Sequence, residues 1–383
     1  MEVKEKTQEQ TEEIQYLPKL IAWEVTRSCN LSCRHCRASA EKGPYPGELT
    51  TAQGKALVDD VAAFANPVLI MTGGDPLMRE DIWELAEYAI HQAGLRVVMS
   101  PNGTLVTPEA ARKMKEVGIP RISISIDFPT AQMHDEFRGV PGAYEGAVRG
   151  VKNALEAGVQ VQINSTITKL NVDYLDDLLN LSKELGAVAF HPFLLVPTGR
   201  GKQLGPEELP PEDYERTLNW VYERQKTSDI FFKPTDAPHY HRIMRQRAKE
   251  DGTDLSELKM HPHSHAMMAG AVGKSRGHGD MDSHSKGCLA GTGFCFISHT
   301  GKVQPCGYFD VVAGDVKQQP FSEVWRTSEL FRDLRDVSKL KGKCGICEYR
   351  RVCGGCRARA YEITGDYLAE EPYCVYEPVR QGC

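Results

Sequence analysis

The chain has 383 residues, 41% of them hydrophobic and 26% charged, with a net charge of −6. That composition suits about two or three folded domains with ample core, and it gives no basic surplus for nucleic acid or an anionic membrane. No window approaches about 18 consecutive apolar residues, so no membrane span is expected. The polar N-terminal segment lacks the apolar stretch of a signal peptide, which leads us to expect a cytoplasmic protein, and there twelve cysteines point to metal or redox chemistry rather than disulfides.

Residues 1–18 read as a flexible tail. Ile21–Ser28 is apolar and β-prone, and Cys29-x3-Cys33-x2-Cys36 follows it. Thiolates bind soft metals and iron–sulfur clusters. Three ligands are one short of a four-iron cubane, so one iron stays open to a non-protein ligand. A zinc knuckle is the alternative. It usually wants four ligands, and His35, wedged between Cys33 and Cys36, is poorly placed to be the fourth.

Thr50 or Thr51 caps a helix running to about Ala65. Val68–Thr72 is a buried strand ending in Gly73-Gly74-Asp75-Pro76. A helix over Glu80–Ala93 stops at Gly94, and the strand Leu95–Met99 leads to Pro101-Asn102-Gly103. Thr107 caps a helix ending at Gly118, followed by the strand Arg121–Asp127. A helix over Ala143–Ala157, a strand over Val159–Ile167, a helix over Val172–Leu185 and a strand over Ala187–Val196 complete six βα-type units. Apolar strands alternating with amphipathic helices imply a parallel sheet covered by helices. Six units cannot close an eight-stranded barrel, so we expect an open, partial one with its chemistry at the C-terminal strand ends. The cysteine loop, Gly73–Pro76, Asn102, Asp127, Asn164 and the 197–201 turn all fall there.

Residues 210–225 read as a further helix, and Lys233 to Arg242 leads into another. The Gly-, His-, Ser- and Met-rich stretch 251–286 reads as a solvated insertion, with a metal-binding tract over His261, His263, His265, His278 and His284 as the alternative. The remaining cysteines run Cys288-x6-Cys295-x10-Cys306, then Cys344-x2-Cys347-x5-Cys353-x2-Cys356-x17-Cys374, with Cys383 as a spare thiol. A zinc ribbon is the alternative for 344–356.

The Cys29, Cys33, Cys36 spacing and the Gly73–Pro76 motif together resemble the radical S-adenosylmethionine (radical SAM) superfamily over residues 20–200. The resemblance implies an α/β fold, a partial (β/α)6 barrel over 19–230. It implies a 4Fe–4S cluster on the three cysteines, whose open iron takes S-adenosyl-L-methionine and whose electron yields a 5′-deoxyadenosyl radical. It also implies cofactor contacts at Gly73, Gly74, Asp75, Asn102, Ser125, Asp127, Arg138 and Asn164. The glycines would let backbone carbonyls approach the methionine ammonium, Ser125 and Asp127 would reach carboxylate and ribose hydroxyls, and Arg138 would pair with the carboxylate. The family usually has Glu where Asp75 stands.

The C-terminal cysteines resemble a SPASM-type iron–sulfur domain over 288–383, joined to the barrel by a linker helix and insertion over 231–287. Carried over, Cys344, Cys347, Cys353 and Cys374 would hold one auxiliary 4Fe–4S cluster, and Cys288, Cys295, Cys306 and Cys356 a second. Gly354-Gly355 leaves two residues between the third and fourth cysteines of the run, where the family usually has three.

His191–Gly201, Ala237–Tyr240, Phe294–His299 and Cys356–Leu368 are similar to the heme b synthases, iron-coproporphyrin III decarboxylases of the siroheme-dependent heme pathway. That implies two propionates of Fe-coproporphyrin III converted to vinyls, and a low-potential electron donor such as ferredoxin or flavodoxin. By position, Arg200, Lys202, Arg242 and Arg357 are candidate cations for the porphyrin carboxylates, and His239 or Tyr240 for iron or a propionate. The related didecarboxysiroheme deacetylases, peptide-modifying maturases and, outside enzymes, an iron–sulfur electron carrier are the alternatives.

Overall fold

Period-two burial in the strands and capped helices between them build one ten-stranded sheet. The computed structural model describes residues 16–255, 258 and 286–379, so the His-rich tract, Cys383 and most of the N-terminal tail lie outside the described residues. The strands are β1 (Leu20–Thr26), β2 (Val68–Gly73), β3 (Arg96–Met99), β4 (Arg121–Ser125), β5 (Gln160–Ile167), β6 (Ala189–Leu194), β7 (Phe231–Phe232), β8 (Phe294–Ile297), β9 (Lys302–Gln304) and β10 (Gly314–Asp315). They lie in the order β10-β9-β8-β1-β2-β3-β4-β5-β6-β7. Neighbours from β1 to β7 are parallel, which is the expected partial barrel with β7 added. Two residues are too few to show a period in the sequence.

The other edge departs from a simple division at Cys288. β8 pairs in parallel with β1, with Leu20 opposite Phe294 and Ile21 opposite Cys295, and β9 then pairs antiparallel with β8. The chain beyond Cys288 thus extends the barrel sheet before it turns away into its cysteine-rich loops.

Alternation sorts the side chains. In β4 and β5, Ile122, Ile124, Val161 and Ile163 are buried in the main core beneath the helices. Ser123, Ser125, Gln162 and Asn164 take the other, half-buried face, which lines the barrel interior. Helix ends follow the expected signals. Thr50 makes a full capping box with Gln53, and Thr107 caps Pro108–Val117, which stops at left-handed Gly118. Two helices differ. The stretch 80–93 resolves into Ile82–Glu87 plus a π turn, Tyr88–Gln92. Ala131–Arg138, a helix too short for a clear periodic signal, stands after β4 and carries Arg138.

Candidate active site

The loop after β1 is held open around its three thiols by backbone bonds from distant segments. Cys29 N–H donates to Glu41 O at 2.7 Å, Ser32 N–H to Arg138 O at 3.2 Å, and Arg34 N–H to Phe137 O at 3.0 Å. Arg200 staples it from the β6 side, donating to Cys33 O at 2.9 Å and Ala40 O at 3.0 Å. Each sulfur also has a donor. Leu31 N–H reaches Cys29 Sγ at 3.4 Å, Ala40 N–H reaches Cys36 Sγ at 3.3 Å, and Arg138 Nη1 reaches Cys33 Sγ at 3.6 Å. Burial pushes the Cys29 thiol up to about 11, and the nearby charges of Asp75, Cys33 and Cys36 push the same way against the Leu31 N–H. Three converging thiols, each already supplied with an N–H donor, fit the demands of a cluster with one thiolate per iron. A single zinc needs its sulfurs at about 2.3 Å. Among the described residues no three Cys, His, Asp or Glu side chains are placed to share one ion.

The expected cofactor contacts gather at this end of the barrel, but several are engaged differently. A Cβ on Gly73 would stand 2.3 Å from Thr26 O, and one on Gly74 would stand 2.3 Å from both Arg27 O and Ser28 O. The glycines therefore let the end of β2 dock on the base of the cysteine loop, where the sequence suggested an approach to the methionine ammonium. Asp75 is fully buried; its carboxylate accepts Asn102 N–H at 2.7 Å and Leu77 N–H at 2.9 Å. Burial pushes its carboxyl up to about 6 against those two bonds. It ties β2 to the turn after β3. Asn102 Nδ2 in turn stands 2.8 Å from Asn30 Oδ1 and 3.8 Å from Cys29 Sγ.

Asp127 and Arg138 also correct the expectation. β4 ends at Ser125, and the fully buried Asp127 carboxylate takes Arg138 Nε at 2.6 Å, Arg138 Nη2 at 2.5 Å and Thr166 N–H at 2.8 Å. Burial works against the Arg138 cation, but Asp127 and Cys33 outweigh it and push its pKa up. The two residues form a buried pair bracing Cys33, so the Asp127 carboxylate is not free for ribose. Ser125 and Asn164 face each other across β4 and β5 on the interior side, where Asn164 Oδ1 accepts from Gln162 Nε2 at 2.7 Å.

Toward the C-terminus, Cys344, Cys347, Cys353 and Cys374 line one pocket together with His239 and Arg242. N–H donors again reach sulfur: Glu371 to Cys344 at 3.3 Å, Tyr349 to Cys347 at 3.4 Å and Gly355 to Cys353 at 3.4 Å. A void walled by four thiols fits a cluster. Of the other expected set, Cys288, Cys306 and Cys356 lie within one another's electrostatic reach. Cys295 does not join them. On β8, Phe296 faces the interior beneath Arg37 at 4.2 Å. Its neighbour Cys295 must point the opposite way, into the core toward Arg335.

Most of the side chains proposed for the porphyrin are engaged by the protein itself. Arg200 holds the cysteine loop, Lys202 pairs with Glu362 at 3.2 Å, and Arg242 pairs with Glu215 at 2.5 Å. Arg357 donates to Tyr367 O at 3.1 Å and Ala369 O at 2.6 Å. Tyr240 is buried on Gln225. His239 is buried in the four-cysteine cavity, where burial lowers its pKa to about 4 and keeps it neutral. The interior face instead presents His191, whose Nδ1 lies 3.2 Å from Gln162 Nε2 and whose buried Nε2 has no partner among the described residues. The charge of Lys233 is among those that act on it. Alternation along β6 is the signal that would have found His191. Glu24, fully buried on β1, was also missed; it gathers Arg37 at 3.3 Å and His299 at 2.8 Å. A carboxylate inside an apolar strand was the visible sign.

Two family patterns match the chain, the radical SAM superfamily over residues 23–184 and the SPASM iron–sulfur cluster-binding domain over residues 288–357. The chain is 53% identical over 362 residues to the AdoMet-dependent heme synthase of Nitratidesulfovibrio vulgaris, covering 94% of this chain and 93% of that protein. It is 51% identical over 364 residues to the AdoMet-dependent heme synthase of Methanosarcina barkeri, covering 95% and 98%. Similarity to the Fe-coproporphyrin III synthase of M. barkeri is 33% over 372 residues, covering 93% and 87%. Among solved structures, Streptococcus suis SuiB bound to S-adenosylmethionine matches with a TM-score of 0.69 at 15% identity, covering 94% of this chain and 78% of that one. The anSMEcpe enzyme with bound AdoMet matches at 0.65 and 17% identity, covering 93% of each. These two share the fold.

Proposed function

The chain belongs to the radical SAM superfamily, in the SPASM-bearing family of AdoMet-dependent heme synthases, and from that premise we propose that it oxidatively decarboxylates two propionates of Fe-coproporphyrin III to vinyls, giving heme b. Its cofactors are 4Fe–4S clusters and S-adenosylmethionine. The observation that carries the reading is identity above 50% along almost the whole chain to heme synthases, against 33% to the Fe-coproporphyrin III synthase.

Cys29, Cys33 and Cys36 would hold the cluster, which with S-adenosylmethionine would supply the radical for hydrogen abstraction at a propionate β-carbon, the substrate losing CO2 and one electron to become a vinyl group. The chain's own residues hold the parts. Arg138 with Asp127, and Asn102 with Asp75, brace the cysteine loop from two sides. The interior strand faces of β4, β5 and β6 offer neutral polar groups toward the substrate. With Nδ1 accepting from Gln162, His191 carries its proton on Nε2 and can donate to a carboxylate; its pKa, lowered by burial to about 3, keeps it neutral. The ammonium of Lys233 supplies a nearby positive charge, and the C-terminal cysteine cavities supply an exit for the electron, with a ferredoxin or flavodoxin as donor. No helix among the described residues is long and apolar enough to cross a membrane.

The test is anaerobic. Reconstituted protein, S-adenosylmethionine and reductant are mixed with Fe-coproporphyrin III, and products are read by mass spectrometry. Two decarboxylations matched by 5′-deoxyadenosine support the reading. Turnover of didecarboxysiroheme alone would replace it with a deacetylase.

A further inference from the structure

With Cys295 turned into the core, Cys288, Cys306 and Cys356 meet as three thiols without the expected fourth. Another side chain comes within electrostatic reach of two of them. Asp236 follows β7, and its charge is among those that act on the thiols of both Cys306 and Cys356. The turn that carries it also packs on the Cys288 segment: a Cβ on Gly287 would stand 2.9 Å from Pro238 Cα.

The carboxylate is also conspicuously unsatisfied. Asp236 Oδ2 is sealed from solvent and has no hydrogen-bond partner among the described residues. A carboxylate oxygen buried without a donor is expensive and calls for an ion or an unseen partner. The backbone is strained to put it there. Asp236 has φ of +58°, the left-handed region that a non-glycine residue enters at a cost. Its surroundings hold it in place: Arg359 donates to Asp236 O at 3.2 Å, Thr235 N–H donates to Pro192 O at 2.8 Å, and Tyr240 N–H donates to Ala237 O at 3.0 Å. A left-handed residue pinned on both sides, with an unpartnered buried oxygen and a charge that reaches two of these thiols, has the marks of a ligand.

We propose that Cys288, Cys306, Cys356 and the Asp236 carboxylate together hold the second auxiliary cluster, and that Cys295 is a core thiol. Iron–sulfur clusters accept ligands other than cysteine, and a carboxylate is a harder oxygen donor suited to iron. The placement is also central. Cys288 N–H donates to Cys353 O at 3.3 Å, linking this set to the four-cysteine cavity. On its other side, Tyr308 feels the charges of Cys306 and of Cys36. The set stands between the cysteine loop and the outer cavity, on the path an electron leaving the barrel would take. The proposal rests on the reading that the C-terminal cysteines carry clusters.

The test uses the full chain with Cys29, Cys33 and Cys36 replaced by Ala, so that only auxiliary iron is counted after anaerobic reconstitution. Asp236→Asn suits the left-handed backbone and removes the anionic ligand, while Asp236→Cys restores a thiolate. Expected results are an altered EPR spectrum of the reduced protein and a loss of up to about four iron per chain in Asp236→Asn. Asp236→Cys should recover the iron with shifted g-values, and Cys295→Ala should match its parent in iron, sulfide and spectrum. A parental spectrum in Asp236→Asn overturns the proposal, as does a loss of about four iron in Cys295→Ala. A parent chain with no iron at all would instead defeat the cluster reading beneath it.

Discussion

Replacing Arg138 by Met is the sharpest probe of the site's framework. The Arg138 side chain is 8% exposed and the Asp127 side chain 0%, so the substitution leaves a buried carboxylate with only the Thr166 N–H. Breaking a buried, hydrogen-bonded pair by removing one partner costs about 3–5 kcal/mol. Asp127→Asn, which leaves a buried guanidinium against Cys33, should cost a similar amount. The double variant should cost little more than either single one, a coupling of about 3 kcal/mol. Anaerobic urea unfolding of the reconstituted chain, followed by tryptophan fluorescence, measures all four corners of the cycle. Additivity within about 0.5 kcal/mol would refute the pairing, and Arg138 would then be free to serve a ligand, as its sequence context suggests.

Glu24 tests the link between β1, the cysteine loop and the chain beyond β8. Burial opposes its carboxylate, but Arg37, the His299 hydrogen bond and Arg27 hold its pKa down at about 2 from an ordinary 4.5. A lowered carboxyl pKa stabilises the fold above the unfolded value and loses that stability as pH falls toward the folded one. Glu24→Gln in the metal-free chain should therefore cost about 3 kcal/mol at pH 7, with the gap from wild type narrowing below about pH 4.5; a gap constant between pH 7 and 3.5 contradicts this. Gly74→Ala should force β2 off the cysteine-loop backbone at a cost of about 1–3 kcal/mol, with faster iron release, and wild-type stability would show the contact to be soft. Cys344→Ala should remove about four iron per chain while S-adenosylmethionine cleavage persists; Cys29→Ala should abolish cleavage with the auxiliary iron retained.

Much of this protein is local and therefore legible in one dimension. Strand alternation, Thr50 and Thr107 at helix starts and Gly118 at a helix end are set by residues within a turn or two of each other. The cysteine spacing at 29–36 and at 344–374 is likewise a short-range fact, because a cluster demands thiols that one loop can present. The harder questions were which groups a side chain meets across the fold. Arg138, His239 and the arginines look like ligand-binding cations in sequence, and burial beside Asp127, the four-cysteine cavity, Glu215 or backbone carbonyls takes them up.

Cys295 shows the division most plainly. Its spacing from Cys288 and Cys306 reads as a ligand, but the pairing of β8 with β1 assigns it a face, and strand parity sends it into the core. Asp236 is the converse, an unremarkable residue whose left-handed backbone beyond β7 leaves an orphaned carboxylate within electrostatic reach of Cys306 and Cys356. The sequence by itself determined the first six strands, most of the helices between them and the thiol-bearing loops, since short-range sterics and spacing decide those. Only the tertiary structure decided which thiols meet, because pairing register across more than 270 residues of separation, as between Ile21 and Cys295, is a long-range property that no local pattern encodes.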